Sequence, residues 1–402
     1  MRKNLISFDF IMISFGISPV NLYFRVMEGS IYIHVPFCKS RCVYCGFYSS
    51  TLLTYRQAYV DAVCREFDLR RDYLSTGSPV RTLYLGGGTP SQLTFAQIEQ
   101  LFHHIYNNVD GCEEVTMECN PDDVTPDFCE HLSRWPVNRM SMGIQTFDDR
   151  RLKFLHRRHS ASQAEKALHL LRQSGISNVS IDLMFGFPGQ TIDEWASDIR
   201  HALTLHPEHL SAYSLMYEES TPLYGMRERG ELEEISEEVS REMYDILCDQ
   251  LTAAGYEHYE ISNFALPGYR SRHNSGYWHG TPYLGLGAAA HSYDGQSRQW
   301  NVSDVKSYIE HIGRGIIPCE REELDEDTRY NDLIVTALRT REGIDMQQLE
   351  DTLGTFYLHY LEESTQQNVA LGLLAVEGGR IHLTRSGLYV SDMVMADAII
   401  AR

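Results

Sequence analysis

The stretch HVPFCKSRCVYCGF, residues 34–47, decides how this chain is read. It follows the strand-like run IYIHV (31–35) and sets Cys38, Cys42 and Cys45 in C-x3-C-x2-C spacing. Three thiolates on one short loop can hold three irons of a cubane cluster, leaving the fourth iron open to a small chelating ligand. Two plainer readings stand beside it. One is a structural zinc site with His34 or a distant Cys as fourth ligand, although zinc prefers paired C-x2-C units. The other is a packed group of cysteines with no metal.

The rest of the composition narrows the classes. The chain has 402 residues, 43% hydrophobic and 22% charged, which excludes a disordered or collagen-like chain and allows a large core. Lys plus Arg number 35 against 55 Asp plus Glu, for a net charge of −20, so the whole is not a nucleic-acid binder. No run of 18 apolar residues occurs, so no membrane span is expected. Nine cysteines is an odd number. Apart from the trio they are scattered (Cys64, Cys112, Cys119, Cys129, Cys248, Cys319), which suits a reducing compartment, the cytoplasm, with one thiolate cluster. Residues 1–30 look superficially like a signal peptide, but Asp9 breaks the apolar stretch and no small-x-small cleavage site follows. We read them as an extension without a fold role, with Met27 as the expected translation start.

From Ile31 onward, strand-like runs alternate with amphipathic stretches. The runs are 31–35, 81–85, 114–119, 139–144, 180–186 and 209–215, with helical patterns near 54–74, 95–107, 126–134, 149–156, 161–173, 192–204 and 236–253. Six strand–helix units in succession imply a parallel sheet with crossover helices. Thr54/Gln57, Thr94/Gln97, Ser160/Gln163 and Thr191/Glu194 fit capping boxes, and Thr125 precedes Pro126 at a first turn. The strands read as apolar on both faces (Leu83, Leu85; Ile181, Leu183). Six units fall short of a closed eight-strand barrel, leaving an open partial barrel or a doubly wound sheet, with active groups at the carboxyl ends of the strands.

The boundaries expected are an extension (1–30), an α/β partial barrel (31–260), a connecting segment (261–320) and a mostly helical C-terminal domain (321–402). In the last, CEREELDEDTRYNDL reads as acidic and helical. Later come two helices and a hairpin turning at Glu377-Gly378-Gly379, a winged-helix-like end. It is acidic where a DNA-recognition helix would be basic, so it reads as a packing or substrate-covering module.

An aromatic, Tyr44, directly before the third cysteine of such a loop resembles the signature of the radical S-adenosylmethionine superfamily, whose fold is a six-unit partial barrel. YIHVPFC, GGGTP, MECNPDD, SMGIQTFDDRRLKFLHRRH, IDLMFGFPGQT and HNSGYW together resemble the HemN/HemW group, from about Ile31 to the C-terminus. That group comprises oxygen-independent coproporphyrinogen III oxidases and related heme chaperones. The resemblance implies that Cys38, Cys42 and Cys45 hold a [4Fe-4S] cluster. It also implies that Tyr32, Tyr44, Gly87, Gly88, Thr89, Glu118, Gln145, Arg157 and Asp182 contact S-adenosyl-L-methionine. Glycines after the second strand allow close backbone approach to the methionyl amino group. Glu118 and Asp182 close the third and fifth strands, where carboxylates can accept ribose hydroxyls. Arg157 can pair with the ligand carboxylate through its fork. Taken singly, each could instead be a solvated or capping group.

Two departures point to the chaperone branch. The oxidases carry a fourth Cys two places after the third, where this chain has Phe47, and residues 1–30 do not match their N-terminal arm. The chaperones carry HNxxYW, present as His273-Asn274-Ser275-Gly276-Tyr277-Trp278. This makes His273 the candidate heme ligand, with His291 the next. The resemblance implies a heme-binding protein that delivers heme to apo-hemoproteins such as respiratory cytochromes. An electron donor is implied, a homo-oligomer is compatible, and no catalytic residue is assigned. The alternative is a coproporphyrinogen III oxidase in porphyrin biosynthesis.

Overall fold

A computed structural model describes residues 29–74, 79–109 and 111–401. The N-terminal extension up to residue 28, with the expected start at Met27, lies outside the described residues. The chain opens as alternating units: β1 (Gly29–Val35), α1 (Arg56–Leu69), β2 (Val80–Gly87), α2 (Phe95–His104), β3 (Glu114–Cys119) and α3 (Pro126–Leu132). Then come β4 (Arg139–Gln145), α4 (Asp149–Phe154), α5 (Ala161–Gln173), β5 (Val179–Phe185), α6 (Ile192–Thr204) and β6 (His209–Ser214). Each of β1 to β6 pairs in parallel with the next. The spatial order β1-β2-β3-β4-β5-β6 has no reversal. A doubly wound sheet would reverse its order at a switch point. The fold is therefore a singly wound, partial α/β barrel, and the sheet does not close.

Local chemistry explains most of the register. Thr94, Ser160 and Thr191 each accept from the backbone N–H three residues on, and Gln97, Gln163 and Glu194 return the bond, so three capping boxes start α2, α5 and α6. Thr125 caps α3 ahead of Pro126. The fourth expected box does not form. Leu53–Tyr55 makes a 3-10 turn first, so α1 starts at Arg56 behind Tyr55, with no side-chain cap.

The strands are not apolar on both faces, as the runs suggested. Leu83 and Leu85, like Ile181 and Leu183, are two residues apart and share one face, the face packed against helices. Tyr84 and Asp182 between them point to the barrel interior, where the lining is aromatic and polar. Trp195 on α6 is fully buried. Its indole N–H donates to Met243 O at 2.9 Å, tying α6 to the long helix that follows.

After β6 come α7 (Pro222–Glu228), α8 (Glu237–Ala253), β7 (Glu257–Glu260), β8 (Asn263–Ala265), α9 (Arg272–Trp278), β9 (Tyr283–Leu286), β10 (His291–Tyr293), β11 (Ser297–Asn301), α10 (Val305–Gly313) and β12 (Cys319–Glu323). These strands widen the sheet to twelve. β8 and β7 add beyond β6, and β9 pairs in parallel with β1, leading outward to β10, β11 and β12. Cys319–Glu323, expected to be helical, is an edge strand instead, and its Glu and Arg side chains suit an edge facing water. Glu66 on α1 is buried and anchors this extension. It pairs with Arg70 at 3.1 Å and accepts from Gly287 N, Asn301 Nδ2 and Tyr308 Oη.

The C-terminal region is mostly helical: α11 (Glu326–Ala337), β13 (Ile344–Asp345), α12 (Met346–Leu353), α13 (Thr355–Ala370), β14 (Leu374–Glu377), β15 (Arg380–Leu383), α14 (Arg385–Leu388) and α15 (Ser391–Ala398). It has its own apolar core around Tyr330, Ile334 and Leu361. The β14–β15 hairpin turns at Gly378 and Gly379, both with positive φ (57° and 78°), the conformation a tight turn demands. Arg385 ties it to α8 through Asp245 and Asp249.

Candidate functional site

The loop after β1 carries the three cysteines. Phe37 bridges to Ser50, and Cys38 N–H donates to Ser50 O at 3.0 Å, so the loop closes on itself. Val43 N–H reaches Leu155 O, anchoring the loop to the end of α4. All nine cysteines are free thiols. Burial and the neighbouring thiol groups hold Cys38 and Cys45 above the ordinary thiol range, although hydrogen bonds from Thr89 and Ser49 to Cys38 partly offset this. Such thiols are poor free nucleophiles and need a bound cation to hold them as thiolates. Among the described residues, no three His, Cys, Asp or Glu side chains converge as the ligands of one ion do. His34 offers zinc nothing as placed. Its Nδ1 is bonded to Tyr32 Oη at 3.0 Å, and its Nε2 faces Tyr48 O at 3.4 Å.

Alternation along β1 to β6 sends one side chain in two toward the interior, and at the carboxyl ends these meet around one cavity of about 560 Å³. All nine residues singled out as S-adenosylmethionine contacts line it, from Tyr32 on β1 to Asp182 on β5, and Cys45 lines it too. The glycine loop explains its own sequence. Gly87 has φ +109°, and a Cβ there would fall 2.5 Å from the His34 ring. A Cβ on Gly88 would sit 2.7 Å from the Pro36 backbone, which cannot give way. Gln145 is held at φ +72°, where β4 bulges out of register with β5. A non-glycine residue there stores strain of about 1–3 kcal/mol, which tends to occur at working sites.

The acids and bases of the cavity follow from burial. Glu118 accepts from Tyr84 Oη at 2.8 Å and from Gly87 N–H at 3.0 Å. Burial nonetheless raises its carboxyl to about 7, with the nearby Asp182 charge adding to the effect. Burial likewise raises Asp182 to about 6, against bonds from Ser211 and Ser141. Arg157 directs its fork at Asn120 Oδ1 (2.7 Å), the Gly143 carbonyl and Cys42 Sγ (3.8 Å), while its Nε has no partner. It therefore sits between the cysteine loop and the cavity, with one donor unused.

The imidazoles fall differently. His273 opens α9 inside the barrel floor at 1% exposure. Its Nδ1 is bonded to Thr82 Oγ1 at 2.7 Å, its Nε2 to Tyr277 Oη at 2.8 Å, and its ring stacks on Tyr84 at 4.9 Å. Burial, with Arg139 nearby, pulls its basicity down to about 3. As placed, the ring has no free lone pair, and it lies outside the lining of the cavity. His291, on β10, has an exposed ring beside Trp300. Sequence reasoning did not single out Tyr213 near the end of β6, Met216 or Glu218 after it, nor Asn120 after β3, all of which line the cavity. Position at or just after the carboxyl end of a strand was the only signal they carried. Exposed Phe47 (73%) and Met216 (64%) make its mouth apolar.

Comparison with known proteins bears on the family and the fold. The Radical SAM superfamily domain matches residues 32–202, and the HemN C-terminal domain matches residues 324–390. The chain is similar to the protein named heme chaperone HemW of Lactococcus lactis, at 33% identity over 91% of this chain and 96% of that one. It is also similar to the heme chaperone HemW of Bacillus subtilis, at 34% identity over 90% and 95%. Among solved structures, the coproporphyrinogen III oxidase HemN of Escherichia coli superposes with a TM-score of 0.80, covering 93% of this chain and 90% of that one. At 23% identity, that likeness speaks for the fold.

Proposed function

The chain belongs to the HemW family of the radical S-adenosylmethionine superfamily, and from that premise we propose that it is a heme chaperone. It binds heme, a [4Fe-4S] cluster and S-adenosyl-L-methionine, and passes heme to apo-hemoproteins such as respiratory cytochromes. The observation that carries this is the convergence of Tyr32, Tyr44, Gly87, Gly88, Thr89, Glu118, Gln145, Arg157 and Asp182 with Cys45 on one cavity.

The residues fit the groups. Cys38, Cys42 and Cys45 would hold the cluster, as three free thiols on one loop with the Arg157 guanidinium against Cys42. When bound, the cluster supplies an iron with an open place, and S-adenosylmethionine can fill it. The chain's part is to bind and orient the nucleotide. Glu118 and Asp182 accept its hydroxyls, the Gly87–Gly88 backbone passes close beside it, and Arg157 has a spare N–H. Phe47 stands where the oxidases place a fourth cysteine. Together with Met216 it gives the mouth an apolar surface suited to a flat macrocycle. His291 is the better placed of the two candidate heme ligands, because its ring is exposed while both nitrogens of His273 are engaged.

Cofactor chemistry of this kind suits the cytoplasm, as do the unpaired cysteines. No helix among the described residues is long and apolar enough to cross a membrane. Anaerobically purified protein, titrated with heme, should give a saturable Soret band and lose it to an added apo-cytochrome. Incubated with coproporphyrinogen III, S-adenosylmethionine and a reductant, it should make no protoporphyrinogen at turnover. Turnover, with no heme transfer, would make it an oxidase.

A further inference from the structure

Arg139 opens β4 opposite Thr116 of β3. One same-face step along the strand, about 7 Å, brings the chain to Ser141, which is opposite Glu118. A further step reaches Gly143, opposite Asp182. Arg139 therefore lies on the barrel floor beneath both carboxylates. It is 2% exposed, its Nε has no acceptor, and among the described residues it makes no contact ion pair. A buried guanidinium without a direct partner is costly and needs a reason.

Its surroundings supply one. The groups that feel its charge come from β2, β3, β5, β6, β7 and α9: Tyr84, Glu118, Asp182, His209, Tyr259 and His273. Both imidazoles are buried and pushed far toward the neutral form. The tyrosines are held protonated by burial. Glu118 also faces Tyr32 and Tyr277, while Asp182 also faces Arg157, Tyr44 and Tyr213. Arg157 stands at the upper side, with its fork engaged by Asn120, Gly143 and Cys42. Among the described residues, Arg139 is a buried cation that acts on Glu118 and Asp182 together from the floor side, and it is locked to neither. A contact pair with one of them would take up the lone pairs that a ribose needs. Charge supplied from one step below leaves them free.

We propose that Arg139 is a positioning residue of the nucleotide site: a buried counter-charge, bonded to no carboxylate, that keeps the Glu118–Asp182 pair ionised and open to ribose hydroxyls. This rests on the reading of that pair as the ribose acceptors. It acts through the carboxylates and touches no ligand itself.

The test is the pH profile of S-adenosylmethionine binding to the cluster-loaded full chain, measured by calorimetry between pH 6 and 9. Arg139→Met should bind about fivefold more weakly at pH 7, because a one-unit rise from about 7 takes the ionised fraction of the controlling carboxyl from one half to about one tenth, and should rejoin the wild type by pH 9. Arg139→Lys should follow the wild-type curve. A curve for Arg139→Met parallel to the wild type, at any affinity, overturns the proposal, since a merely structural role weakens binding equally at every pH. Infrared titration of the ligand-free wild type gives a second reading that needs no Arg139 variant. The carboxylic C=O band that vanishes in Glu118→Gln should be gone by pH 8, and its persistence to pH 9 also overturns the proposal. If the wild type binds no nucleotide at any pH, it is the site assignment that fails, and the same infrared titration of Arg139→Met, whose band should persist about one pH unit higher than in the wild type, still decides whether Arg139 keeps the pair charged.

Discussion

Glu118→Gln should make the ligand-free protein more stable at neutral and alkaline pH while spoiling its nucleotide site. The wild-type carboxyl is carried by burial from an ordinary 4.5 to about 7. A group whose native value is raised binds protons more readily in the folded chain. Its penalty is therefore absent below pH 4.5, grows as the pH rises toward 7 and is complete above that. Full burial would put the cost at roughly 3 kcal/mol, and with one edge open to cavity water about 2 kcal/mol is the better figure. Gln keeps the shape and one acceptor for Tyr84 or Gly87, giving up one hydrogen bond worth about 1 kcal/mol at every pH. Between pH 5 and pH 8, the stability of the variant relative to the wild type should thus improve by about 2 kcal/mol. In a chain of this size, that corresponds to a few degrees in Tm, on the order of 2 °C per kcal/mol. Thermal unfolding of both proteins at the two pH values, without nucleotide, reads it directly. Affinity for S-adenosylmethionine at pH 8 should fall by roughly 10- to 100-fold, the loss of a charged acceptor. A stability difference that stays constant between pH 5 and pH 8 would refute the reasoning, because Glu118 would then titrate as an ordinary carboxyl.

Four further outcomes are expected. Cys42→Ser should remove the brown cluster absorbance of anaerobically isolated protein, and a full iron complement in the variant would show that the loop has been misread. His291→Ala should weaken or shift the Soret band of heme-loaded protein. His273→Ala, which empties a buried hydrogen-bonded site, should instead lower Tm by several degrees and leave the band in place; the reverse pattern returns the ligand to His273. Gly88→Ala sets a methyl 2.7 Å from the Pro36 backbone, and should cost more than tenfold in nucleotide affinity by moving the loop. An unchanged Kd would mean that this close approach does not shape the site.

Much of the barrel was legible because its strands end in chemistry. LYLGGG and EVTMEC each finish a β-rich run with residues that line the cavity, SIDLMFG carries Asp182 in the middle of β5 and not at its end, and three of the four proposed capping boxes start the helices between them. The outer strands were not legible. Asn263–Ala265 and His291–Tyr293 are three residues long and show no period, and Cys319–Glu323 carries charges that an edge strand and an acidic helix share. Thr54 failed as a cap because Leu53–Tyr55 winds into a 3-10 turn before α1 starts, which a spacing rule cannot see. In the site, spacing could place His273 on a helix turn with Tyr277. It could not show that Thr82, from a strand 191 residues away in sequence, closes on the other ring nitrogen. Arg139 carried no signal at all. A charged residue that opens a strand reads as an edge group until the register puts it beneath Glu118 and Asp182.

The most direct measurement is iron and acid-labile sulfide analysis of freshly purified, oxygen-free protein, with the electron paramagnetic resonance of its reduced form recorded before and after adding S-adenosylmethionine. The account predicts about four irons and four sulfides per chain and a signal altered by the nucleotide. Colourless protein that holds zinc alone, or a cluster whose signal ignores the nucleotide, would contradict it.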